Sequence, residues 1–162
     1  MTVYTSPRIL PVRAENIPEQ LKTRPQWVLW KAVGDKPDKV PYSARTGRKA
    51  SSTDLLTWAT FREALEAYDD GLYDGVGFVF SSADPFTGID IDRCVDADGE
   101  IAPWALEMVR YLDSYTELSA TGTGLHIIVC GEVPNRRKGN LEVYSSKRFF
   151  TVTGHVVEVS GD

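Results

Sequence analysis

Two carboxylates one residue apart are the first sign of chemistry in this 162-residue chain, where Thr87-Gly-Ile-Asp-Ile-Asp92 alternates apolar and acidic residues. Strand periodicity places Asp90 and Asp92 on one face and Ile89 and Ile91 on the other. Held side by side on an ordered strand, such carboxylates repel unless a cation or a proton lies between them. An all-oxygen donor set suits Mg²⁺ or Mn²⁺. The competing reading is a solvated strand face, where charged residues ordinarily sit. Leu141-Glu-Val-Tyr144 repeats the pattern and offers Glu142 as a third carboxylate, with Glu117 in Tyr115-Thr-Glu-Leu118 as its rival. Pattern alone does not separate the two.

Of the two histidines, His126 follows the small-residue run Ser119-Ala-Thr-Gly-Thr-Gly124 at the start of an apolar segment. A turn of this kind, with Gly122 and Thr123 at its tip, presents backbone N–H groups to phosphate oxygens, and an adjacent imidazole adds a donor. The alternative is a hairpin turn followed by a satisfied core histidine. His155 is read as structural or exposed. Arg136, Arg137 and Lys138 fall in an expected turn before Glu142, where a solvated charge run is the default. Arg148 opens the apolar run Phe149-Phe-Thr-Val152, within reach of a triphosphate held at the carboxylates. Asp96-Ala-Asp98-Gly99-Glu100 fails as a calcium loop, since the register that makes Gly99 the sixth position puts Cys94 first and Ala105 twelfth.

The elements that must position these groups are mostly strands. Segments rich in β-branched and aromatic residues fall at 27–33, 75–80, 87–92, 115–119, 125–131, 141–145, 148–153 and 155–159. One helix is expected from the Ser51–Asp54 cap region through Trp58, Phe61, Leu65 and Tyr68 to a stop at Gly71. Another is expected over 103–113, opened by Pro103, with Trp104, Met108 and Leu112 as its apolar stripe. Residues 34–53, punctuated by Gly34, Pro37, Pro41 and Gly47, read as a long loop.

With 42% hydrophobic and 25% charged residues, the chain has material for one α/β domain rather than two large ones. No stretch approaches the ~20 apolar residues of a membrane helix, and Met1 to Leu10 contains no signal-type apolar core. Cys94 and Cys130 lack the clustering of a zinc site or disulfide framework, which fits a reducing cytoplasmic setting. The net charge of −5 opposes nucleic-acid binding unless the bases share one face; Lys31 to Lys49 and Arg136 to Arg148 are locally basic.

The ordered set Gly88-Ile-Asp-Ile-Asp92, Ser119-Ala-Thr-Gly-Thr-Gly-Leu-His126 and Leu141-Glu-Val-Tyr144 resembles the motifs of the archaeo-eukaryotic primase superfamily. Lys39-Val-Pro41 through Gly47, Ser51-Ser-Thr-Asp54 to Trp58, Gly75-Val-Gly-Phe-Val-Phe80 and Arg148-Phe-Phe-Thr-Val-Thr-Gly154 resemble the primase-polymerases of phages, prophages and plasmids. The likeness spans residues 25 to 155. It implies a mixed α+β fold with an RRM-like, antiparallel-rich sheet and packed helices, residues 1–24 forming an extension and 25–162 a catalytic domain. It further implies metal ligation by Asp90, Asp92 and Glu142, now ahead of Glu117, and contact of His126 with nucleotide phosphates. Arg148, Ser119, Gly122, Thr123 and Lys31 follow as nucleotide-binding candidates. The partners implied are a single-stranded DNA template and primer, dNTP or NTP, and a helicase or helical priming domain in cis or trans. The chain shows no zinc-binding insertion and no such downstream domain, which suggests a module that works with others. A nickase of the rolling-circle or relaxase type is ranked lower, because His126-Ile-Ile128 lacks the second histidine of its metal pair. The non-enzymatic alternative is an idle RRM-like module binding single strands through Phe78, Phe80, Phe149 and Phe150.

Overall fold

Runs of β-branched and aromatic residues dominate the chain, and the computed structural model, which describes residues 8–34 and 38–159, is a mixed α+β fold. The start of the expected extension before Arg8, the Pro37 region of the expected loop and the last three residues of the expected domain lie outside that description. The strands are β1 (Trp27–Val33), β2 (Asp38–Tyr42), β3 (Gly75–Phe80), β4 (Phe86–Ile91), β5 (Tyr115–Leu118), β6 (Leu125–Cys130), β7 (Arg136–Lys138), β8 (Leu141–Tyr144) and β9 (Arg148–Val152). The helices are α1 (Glu19–Lys22), α2 (Phe61–Asp69) and α3 (Pro103–Leu112). The strands divide into a four-stranded sheet ordered β2-β1-β3-β9 and a five-stranded sheet ordered β5-β6-β4-β8-β7, and every pairing is antiparallel. The short connection from β8 to β9 carries the chain from one sheet to the other.

The five-stranded sheet has two different faces, as a period of two dictates. Ile89, Ile91, Leu125 and Ile127 point one way and pack with Ala105 and Val109 of α3. Residues 88, 90, 126 and 128 point the other way, and Ile128 joins an aromatic core with Trp27, Phe78, Phe80, Phe86 and Phe150. Phe78 meets Trp27, Phe80 and Phe86 edge-on, the arrangement that ring quadrupoles favour. Ile17 and Leu21, within the segment expected to precede the domain, are buried in this same core.

Five local expectations need correction. The α2 helix starts at Phe61 rather than at the 51–54 region, because Thr60 and Glu63 form a reciprocal capping box. Asp54 instead caps a 3₁₀ turn over Leu55–Thr57, leaving Trp58 extended, with its indole donating to the Ser51 carbonyl. Of the expected α3 stripe, Met108 and Leu112 pack half-buried beside the buried Ala105 and Val109, whereas Trp104 is 47% exposed. Part of the expected 34–53 loop is β2, an edge strand that tolerates Pro41, and the expected turn at 136–138 is the edge strand β7. Residues 155–159 form no strand. Gly154 at φ +71° turns the chain, and Val156 keeps only an isolated bridge to Glu117.

Gly88 faces the aromatic core, and a Cβ added there would stand 2.5 Å from Phe80 Cζ and closer still to the Phe150 ring. Gly88→Ala should therefore destabilise the fold by about 1–3 kcal/mol, the usual cost of overpacking, read as a lower midpoint in thermal unfolding.

Candidate active site

Antiparallel register brings one residue from each strand of the five-stranded sheet into a single row: Glu117 opposite His126, His126 opposite Asp90, Asp90 opposite Glu142, and Glu142 opposite Arg137. All five project from one face. His126 Nε2 lies 3.5 Å from Asp90 Oδ1, and His126 Nδ1 lies 3.5 Å from Glu117 Oε2. At the far end Arg137 Nε is 3.1 Å from Glu142 Oε1, while the Tyr144 hydroxyl donates to Glu142 Oε2. The centre of the row opens into a cleft of about 490 Å³ lined by Asp90, His126 and Glu142 from this sheet. Lys39 of β2 and Arg148 and Phe149 of β9 supply part of the opposite wall, so the cleft runs between the two sheets.

His126 is buried, and its ring stacks on Phe150 with centroids 4.5 Å apart and planes 23° from parallel. Its Nδ1 is 3.0 Å from the Thr151 carbonyl oxygen. A carbonyl only accepts, so Nδ1 carries the proton and Nε2 is the nitrogen presented to Asp90 and the cleft. Burial by itself would lower the imidazole's pKa, but hydrogen bonding and charge from Asp90 and Glu117 outweigh it and push it up to about 9. Burial pushes the Asp90 carboxyl up, yet His126, a hydrogen bond with Asp92 and the charge of Lys39 bring it below the ordinary value. Asp92 moves the other way, raised first by partial desolvation and then by the neighbouring charges of Asp90 and Glu142. The two acids of the pair therefore differ in proton affinity.

Asp90 Oδ1 is buried without a hydrogen-bond partner. A lone carboxylate acceptor beside a second carboxylate is the donor chemistry that hard divalent cations take. Among the described residues no three His, Cys, Asp or Glu side chains are already gathered as a cation cage; Glu142, the third candidate, is engaged by Arg137 and Tyr144.

The other sequence candidates divide. Arg148 lines the cleft, its guanidinium 5.3 Å from the centre of the Tyr144 ring. Asp92 stands just beyond the end of β4, exposed, its amide donating to the Asn140 carbonyl. Ser119, Gly122 and Thr123 are not among the cleft's lining residues. The Ser119 hydroxyl accepts from the Gly124 amide and closes the turn, Gly122 takes φ +75°, and Thr123 pairs with Thr121. Lys31 is not brought to the cleft either; its ammonium sits over the rings of Tyr42 and Tyr73. Its place is taken by Lys39, a residue that sequence reasoning left in a loop. Glu117, the rival third carboxylate, lies behind His126 and away from the cleft, fully buried. Arg137 and Tyr144 were also missed as members of the site; the strand alternation that singled out Glu142 also puts Tyr144 on its face.

No protein-family model matches the chain. Over 146 residues, 85% of its length, the chain is 39% identical to a protein described as DNA Primase-polymerase from Nitratiruptor phage NrS-1. The chain spans 20% of the length of that relative. Among the described residues no helix is long and apolar enough to cross a membrane.

Because its folded pKa lies above the usual ~6.5 of a free imidazole, protonated His126 stabilises the fold fully below that value. The contribution is lost as pH rises through about 9. In metal-free buffer, imidazole NMR should place the His126 titration near 9, and Asp90→Asn should move it down. A midpoint at the ordinary value in the unaltered protein would contradict the charge assignment of the row.

Proposed function

We propose that the cleft joins nucleotides on a single-stranded DNA template, as a divalent-metal-dependent nucleotidyltransferase of the archaeo-eukaryotic primase type acting in mobile-element DNA replication. The observation that carries this is the buried Asp90 Oδ1 lining the cleft between His126 and Glu142, an acceptor whose nearest cationic neighbour, His126 Nε2, stands at 3.5 Å, beyond an ordinary hydrogen bond. The named relative supports the same class of activity.

Asp90 and Asp92 would hold Mg²⁺ or Mn²⁺, and Glu142 would join them by exchanging Arg137 for the cation. A bound divalent cation neutralises triphosphate charge and activates the attacking 3′-hydroxyl. The chain's own groups do the rest. His126 donates from Nε2 to a phosphate oxygen, its ring held flat by Phe150 and its Nδ1 anchored on Thr151. Lys39 and Arg148, on the opposite wall, supply positive charge to the dNTP or NTP phosphates. No protein nucleophile is required, since positioning and electrostatics suffice for phosphoryl transfer.

The test is incubation with primed and unprimed single-stranded templates, labelled dNTP or NTP, and Mg²⁺ or Mn²⁺, with products resolved by length. The protein should extend or make strands only with the cation. Asp90→Ala should abolish incorporation, and Glu142→Gln should lower it by more than an order of magnitude. Template affinity without metal combined with no incorporation would leave a binding module in its place.

The two lysines provide a second check. Lys39→Ala should raise the apparent nucleotide KM about tenfold, the loss of ~1.4 kcal/mol of phosphate contact, whereas Lys31→Ala should leave it unchanged.

A further inference from the structure

Glu117 is a carboxylate with 0% exposure and, in the structure, no lysine or arginine salt-bridge partner among the described residues. Buried charge of this kind is retained only when every oxygen is satisfied. Here Oε1 accepts from the Tyr115 hydroxyl at 2.7 Å and from the Gly154 amide at 3.1 Å, and Oε2 accepts from the Thr153 amide at 2.9 Å. Burial first, and then the Glu117 charge, push the Tyr115 hydroxyl's pKa well up, so it keeps its proton and donates. The two amides converge because Gly154 takes φ +71°, which aims successive N–H groups at one point.

The segment that supplies those amides also holds His126. Thr151, two residues before Thr153, offers its carbonyl to Nδ1 at 3.0 Å, and Phe150 offers its ring face. Glu117 Oε2 completes the Nδ1 side at 3.5 Å. With a carbonyl and a carboxylate on that side, only a protonated Nδ1 is tolerated, and Nε2 is left facing Asp90 and the cleft.

We propose that Glu117 is a positioning residue: it pins the end of β9 through Thr153 and Gly154, and by doing so fixes the orientation of the His126 ring, with Nδ1–H held on the Thr151 carbonyl and Nε2–H aimed at the cleft. This rests on the proposed role of His126 in holding nucleotide phosphates. Glu117 touches neither nucleotide nor cation.

The experiment uses two variants. Glu117→Gln keeps the shape but sets an amide N–H₂ against backbone N–H donors. Tyr115→Phe keeps the carboxylate and removes one of its three anchors. Measured for each are the thermal midpoint, the imidazole nitrogen NMR signals of His126 without nucleotide, and KM and kcat for nucleotide incorporation. The expected result is a shift of the His126 nitrogen signals in both variants, larger in Glu117→Gln. Nucleotide KM should rise about tenfold in Glu117→Gln, the scale of one misdirected charge-assisted hydrogen bond, with kcat changed less. Unmoved His126 signals would overturn the proposal, whatever the activity; if Glu117→Gln fails to fold, Tyr115→Phe decides alone. Shifted signals with an unchanged nucleotide KM would uphold the positioning role and remove His126 from nucleotide binding instead.

Discussion

The register of β4 between β6 and β8 is the constraint on which the site depends. It places Asp90 directly between His126 and Glu142, and a slip of one residue would turn Asp90 into the α3-facing core and Ile89 into the cleft. Two carboxylates opposite one another on neighbouring strands repel. The row tolerates them because a basic group flanks the pair on each side, His126 beyond Asp90 and Arg137 beyond Glu142. The register is held from both faces of the sheet, by Ile89 and Ile91 against α3 and by the close fit of Gly88 against the aromatic core.

The same row gathers positive charge at one place in an acidic chain. The net charge of −5 describes the whole molecule, but the cleft itself presents Lys39, Arg148 and a protonated His126. The imidazole keeps its charge in a buried position because acidic groups stand on both of its nitrogens. Burial, which alone would neutralise it, instead strengthens its coupling to them.

Much of the site's strand alternation is legible in the sequence. The alternation around Asp90 gave its face, the apolar neighbours of Glu142 gave another strand of the same kind, and the small-residue turn marked the entry to His126. What was hidden depends on pairing across long separations. Glu117 is linked to Thr153 and Gly154 by contacts spanning 36 and 37 residues, which no local pattern records. Lys39 lay in a stretch broken by Gly and Pro, where β2 forms only because β1 pairs with it. Lys31 stands on β1 itself, yet its ammonium rests against Tyr42 and Tyr73, a contact no local pattern records. Three consecutive basic residues at 136–138 resemble a solvated turn, and their edge-strand geometry is what sends Arg137 alone toward Glu142.

In the proposed function a divalent cation would be held by Asp90, Asp92 and Glu142. Paramagnetic broadening by Mn²⁺, followed across the assigned backbone amide signals, tests it most directly, because the ion erases signals only near its own position. The account predicts early loss around residues 88–92, 126 and 142, abolished by Asp90→Ala. Broadening centred instead on the acidic loop at 96–100 or on Asp69, Asp70 and Asp74, and unaffected by Asp90→Ala, would contradict it.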